Sequence, residues 1–249
     1  MASDEAEPPK QRNVGRFVTT RWSIVLAAGE RATPDARDAL THLCAAYWYP
    51  IYAYVRRHGH DPDEAQDLTQ SFFARLLEKH VVEDVRRERG RFRSFLLGAL
   101  KHFLANEWRR EHAQKRGGNL SITSIDVGDG ETRYAHEPAH ARTPEQVFER
   151  RWALTVLDNV LRALESETAA EGKANLFERL KCYLSGDAGA PSYAETGAML
   201  AMSEGAVKVA VHRLRQRYKS ILREQIAETV AGESEVDEEI AALFAALSA

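Results

Sequence analysis

The stretch SYAETGAMLAMSEGAVKVAVHRLRQRYKSIL (192–222) carries two patterns at one helical rhythm. Val207, Val211, Leu214, Tyr218 and Ile221 recur at steps of three and four and so line one helix face. Lys208, His212, Arg215 and Lys219 repeat that rhythm one residue later, flanked by Arg213 and Arg217. Upstream, Ser192 with Glu195 three residues on forms a capping box, which starts a short helix ending near Leu200. Ala201 and Met202 make the turn, and Ser203 caps the next helix. A short helix, a tight turn and a longer basic helix form a helix-turn-helix. In that motif the opening residues of the second helix meet base edges while the first helix crosses the backbone. Six basic residues against one acidic residue between Glu204 and Arg223 favour nucleic acid over a merely solvated face. The candidate DNA contacts here are Ser203, Glu204, Lys208, His212, Arg213, Arg215 and Arg217.

The whole chain has 249 residues, room for one large or two modest domains. Its 44% hydrophobic and 29% charged residues are those of a soluble globular protein. No apolar run approaches the roughly 20 residues of a membrane span. The N-terminal segment MASDEAEPPKQRNVGR lacks the apolar core of a secretory signal. Cys44 and Cys182 lie in apolar helical contexts and read as reduced core thiols, so a cytoplasmic location is expected. The formal net charge of −3 hides segregation: Arg86–Arg116 holds ten basic and three acidic residues, and Glu224–Ala249 seven acidic and no basic ones. Local fields, rather than the total, decide what binds where.

Helix starts are plainly written. Thr33-Pro34, Asp61-Pro62 and Thr143-Pro144 each set a capping residue before a proline whose missing amide costs nothing at the first helical position. Helices are expected near 22–28, 34–58, 62–80, 92–115, 144–167, 173–185, 193–200, 204–228 and 235–247. LSITSIDV (120–127) is the one alternating stretch and falls in a Gly-rich segment without helical period, read as a linker. The expected fold is all-α, with two helical domains joined by a flexible linker. Its divisions are an N-terminal extension (1–33), a helical domain (34–116), the linker (117–143), a helix-turn-helix domain (144–228) and an acidic tail (229–249).

In RGRFRSFLLGALKHFLANEWRREHAQKR (89–116) aromatics interleave with cations. Leu96, Leu100 and Leu104 read as core, but not every aromatic can share that face. Rings beside cations suit single-stranded nucleic acid, whose bases stack while its phosphates meet Lys and Arg. HEPAH (136–140) matches the H-E-x-x-H zinc pattern, but Pro138 disfavours helical geometry at Glu137, so no metal is expected. HGH (58–60) reads as a helix terminus. No nucleophile constellation or phosphate-cradling Gly loop is visible; no cofactor and no enzymatic activity are expected.

These residues resemble a family. DPDEAQDLTQSFFARLLEK (61–79) is similar to the polymerase-binding helix of bacterial sigma factors of the extracytoplasmic-function group, FRSFLLGALKHFLANEWRR (92–110) to their promoter-melting helix, and 192–222 to their C-terminal helix-turn-helix. The resemblance implies a promoter-specificity subunit whose partners are core RNA polymerase, at the clamp of its largest subunit, and promoter DNA. An anti-sigma factor or other regulator is a further partner it allows; a membrane is not. It implies core binding by Asp63, Glu64, Asp67, Gln70 and Phe73. Minus-ten recognition and melting would fall to Phe92, Arg93, Phe95, Lys101, His102, Asn106, Arg109 and Arg110, and minus-thirty-five recognition to the second module. Phe95 and His102 stand where the family usually has Trp and Asn. Thr196 and Gly197 replace a usual Ile-Ala pair, an exchange expected to weaken packing of the first helix. The alternative is a free-standing helix-turn-helix regulator, which leaves 62–80 and the aromatic-cation block unexplained.

The resemblance does not reach the tail. Val236, Ile240, Leu243, Phe244 and Leu247 form an apolar stripe at helical spacing that should dock on something. The body of the second module is one docking site; a basic surface such as Arg86–Arg116 or the recognition helix is the other.

Overall fold

The computed structural model describes residues 21–28, 33–78, 91–113, 134, 142–184 and 189–248. All regular structure among them is helical: α1 (Arg21–Ala28), α2 (Pro34–Ala45), α3 (Trp48–Arg57), α4 (Pro62–Glu78), α5 (Phe92–Ala113), α6 (Pro144–Ala170), α7 (Ala174–Leu180), α8 (Tyr193–Leu200), α9 (Glu204–Ala227) and α10 (Val236–Ser248). Short 3-10 turns at Lys181–Tyr183 and Glu233–Glu235 complete the set. HEPAH, the 120–127 stretch and nearly all of the expected linker lie outside the described residues.

The caps behave as their chemistry requires. Thr33 Oγ1 accepts the Ala36 amide at 3.2 Å, Asp61 Oδ1 the Glu64 amide at 2.9 Å, and Thr143 closes a full capping box with Gln146. One expected helix, 34–58, is two. Pro50 has no amide and its ring crowds the carbonyl four residues earlier, so the chain breaks at Ala46-Tyr47 and restarts at Trp48.

From Tyr49 to Val55 every residue of α3 is buried, so this helix is surrounded on all sides. α4 packs beside it and α6 crosses it, with Phe148 against Tyr47 and Tyr54 at ring-centroid distances of 6.4 Å each. α6 in turn supports α9 and α10. A single apolar core therefore runs from Trp22 of α1 to Leu243 of α10. Cys44 lies in that core and burial pushes its thiol up to about 12, whereas Cys182 is half-buried. No helix of the described residues is long and apolar enough to cross a membrane.

Candidate nucleic-acid interface

The helix-turn-helix forms as its punctuation predicts. Ser192 and Glu195 close a capping box on α8, Ala201 turns the chain in the left-handed region at φ 53°, and Ser203 Oγ accepts the Ala206 amide at 3.2 Å to open α9. Thr196 and Gly197, which stand in place of Ile-Ala, each take a specific part in the turn. Thr196 is buried and hydrogen-bonds the Tyr183 hydroxyl at 2.7 Å; that hydroxyl also donates to Pro191 O at 2.7 Å. Gly197 lets the turn fold back on itself: a Cβ there would meet the Met202 carbonyl oxygen at 2.6 Å.

Val207, Val211, Leu214 and Ile221 bury as the apolar stripe requires. The cationic stripe divides. Arg215 donates from Nε and Nη2 to Tyr183 O at 3.2 and 2.8 Å. Arg217 forks onto Glu167 at 2.8 and 2.7 Å and reaches Glu224 at 3.0 Å, and its guanidinium holds the Glu167 carboxyl below the usual range. Both arginines thus tie α9 to its own domain. Lys208 pairs with Glu204, one turn back, at 2.6 Å. His212 and Arg213 stand exposed with no protein partner among the described residues, beside exposed Ser203, Glu204 and Val209.

α5 divides more sharply. Phe92, Phe95, Leu96, Leu100 and Phe103 are buried, and Arg93 with them. Trp22 of α1 covers Phe92 and Phe95 at 5.1 and 5.2 Å, while Tyr47 meets Phe92 edge-on at 5.1 Å. Lys101, His102, Trp108, Arg109 and Arg110 are exposed, and Asn106 is half-buried; Lys101 and Trp108 lie opposite the buried stripe, while His102 and Arg109 flank it. Lys101 reaches Glu145 at 2.8 Å, Arg109 donates to Asn106 at 3.3 Å and Arg110 pairs with Glu107 at 3.0 Å. Phe95 is buried, whereas the exposed ring among the described aromatics of α5 is Trp108, at 61%. Its position off the 92-95-96-100-103 stripe is the sequence signal that separates it from the core aromatics.

On α4, Asp63 and Asp67 are exposed and Glu64 is half-buried, paired with His60 at 3.0 Å. Gln70 and Phe73, expected to continue that face, are buried instead. They point inward with Thr69, whose hydroxyl donates to Ala65 O at 2.7 Å, and with Phe72, which reaches Phe103 of α5 at 5.6 Å.

α4 packs on both α3 and α5, and it exposes acids where α5 exposes cations and Trp108. Residues 45–114 match the family model of Sigma-70 region 2. This region 2 match supports a sigma-70 family member and, with it, a role in transcription initiation. No curated protein and no solved structure matches the chain. The region 2 segment takes in Asp63, Glu64 and Asp67 as well as Lys101, His102, Asn106, Trp108, Arg109 and Arg110 of α5. It stops short of α6, so the helix-turn-helix stands on its own geometry.

Proposed function

We propose that the chain is a sigma factor of the extracytoplasmic-function type, which docks on core RNA polymerase through α4 and reads promoters with α5 and α9. The carrying observation is the set of exposed cations Lys101, Arg109 and Arg110 with exposed His102 and Trp108, and half-buried Asn106, inside the segment that matches Sigma-70 region 2. A base stacked on Trp108 with its phosphate on Arg109 or Arg110 gains about 1–3 kcal/mol, which offsets part of the cost of flipping a minus-ten base. The N-terminal half of α9, with Ser203, Glu204, Lys208, His212 and Arg213 outward, suits the minus-thirty-five major groove. Asp63, Glu64 and Asp67 offer an acidic surface to the polymerase clamp. The reading requires no cofactor and no catalytic residue.

The test is run-off transcription by purified core polymerase with this chain on genomic fragments. Specific starts should appear, and reversal of charge at Asp63, Glu64 and Asp67 together should remove them by weakening holoenzyme assembly. Promoter binding without any affinity for core polymerase would replace this reading with that of a free-standing regulator.

A further inference from the structure

Four elements outside the region 2 segment converge on the first turn of α5. α1 lays Trp22 on Phe92 and Phe95. The chain just after α9 accepts the Phe92 amide on Thr229 O at 2.9 Å and the Trp22 amide on Glu228 O at 3.0 Å. α6 sets Trp152 under the Arg93 guanidinium at 4.3 Å and gives Glu149 to its Nη1. α10 adds two carboxylates. Glu239, wholly buried, takes Nε and Nη2 of Arg93 at 3.0 Å each and Nε of Arg91 at 3.0 Å, while Glu238 takes Nη2 of Arg91 at 2.9 Å.

We propose that this seam is an autoinhibitory latch, in which the α10 carboxylates occupy the guanidinium forks of Arg91 and Arg93 that nucleic-acid phosphates would otherwise take. The proposal rests on the sigma-factor reading and adds its regulation. Carboxylate and phosphate present the same bidentate acceptor geometry to arginine, so one displaces the other at a single site. A buried ion cluster is a poor way to gain stability, since matched apolar residues of similar volume do as well or better. Its distinctive property is reversibility: both halves regain full hydration when they part, which an apolar seam cannot do. The acidic stretch from Glu224 onward, with seven acids and no base, lies on the same chain as the basic block, so closure proceeds at high effective concentration. While the latch is shut, the Arg91 and Arg93 guanidiniums are withheld from DNA. Opening detaches α10 and exposes the two arginines at the start of α5.

The experiment compares the full chain with a Glu238→Gln/Glu239→Gln variant, which keeps the apolar residues Val236, Ile240 and Leu243 of α10, and with a chain ending at Gly232. Amide exchange at Trp22 and 92–96 should speed up roughly tenfold or more in both variants, with the α5 helix otherwise retained. A fluorescent promoter fragment should bind the free variants roughly threefold or more tightly than the full chain at low salt, the difference shrinking as salt rises. In the full-length wild-type chain, addition of core polymerase should deprotect the α10 amides, a measurement that needs no substitution to fold. Unchanged exchange at 92–96 in the glutamine variant, or α10 amides that stay protected in the holoenzyme, would overturn the latch. Faster exchange without tighter DNA binding would overturn the masking. Run-off transcription is measured alongside: transcription with unchanged exchange and affinity defeats the latch and leaves the sigma reading standing. Its absence defeats the sigma reading, while exchange still decides whether the seam opens.

Discussion

Gly197 and Ala201 hold the helix-turn-helix by opposite constraints. Gly197 has no room for a side chain, because a Cβ would sit 2.6 Å from the Met202 carbonyl oxygen, a backbone atom that cannot step aside. Gly197→Ala should therefore lower stability by about 1–3 kcal/mol in thermal or urea unfolding. Ala201 carries a side chain in the left-handed region, at φ 53°, where glycine is at ease. Ala201→Gly should be neutral or raise stability by up to about 1 kcal/mol, the relieved strain being partly offset by the freer unfolded chain. His58 adds a pH dependence. His58 is exposed at the end of α3, but partial desolvation, with one side against the Tyr54 ring at 4.6 Å, lowers its pKa; Glu145 opposes the effect, and His60 and Lys101 add to it. The unfolded state then binds the proton more readily, so stability is complete above the ordinary histidine range near pH 6.5 and falls as pH drops through it. A His58→Gln variant should show a flatter stability profile between about pH 6.5 and 5. An unaltered slope in urea titrations would remove His58 as its source.

At the scale of elements, two helices carry more cations than they offer to a ligand. In α9, Arg215 and Arg217 brace the helix against Tyr183 and Glu167, while Arg213 and His212 face outward. Arg213→Ala should weaken binding to every DNA sequence and lower the salt slope by about 1 if it meets a phosphate, or relax specificity if it meets a base. Arg217→Ala should leave DNA affinity nearly unchanged and cost no more than about 1 kcal/mol of stability, since its ion pairs are exposed to water. Equal losses of DNA affinity in both variants, measured by anisotropy across salt concentrations, would contradict this division. In α5 the same sorting separates Trp108 from Phe92, Phe95 and Phe103. Periodicity alone places the leucines inside, but it cannot assign aromatics at a stripe's edge, because a Phe beside a cation fits a core and a stacking platform equally well.

For the molecule as a whole, the core is continuous across both helical blocks, with Phe148 of α6 seated on Tyr47 and Tyr54. The full chain should then unfold in one calorimetric transition whose van't Hoff and calorimetric enthalpies agree, and Phe148→Ala should lower stability by roughly 3–5 kcal/mol or split the transition. Two transitions in the unaltered protein would show that the blocks fold separately. Much of this architecture is local and was legible in advance: caps at Thr33, Asp61, Thr143, Ser192 and Ser203 start the helices, and apolar spacing orients α9. These signals act within a turn or two of chain, so the sequence alone determined an all-helical protein with a helix-turn-helix. Its acidic tail carries a stripe that must dock, and α10 meets both expected sites, packing on α6 and α9 and pairing with Arg91 and Arg93 of the basic block. What the tertiary structure decided is which charged side chains meet. Arg93 pairs with Glu239, 146 residues away, and Trp22 closes over Phe92; neither partnership leaves a mark in local sequence. The physical reason is that a carboxylate or a ring serves any nearby guanidinium or aromatic equally well, and only the packing of the apolar faces brings one particular pair within reach.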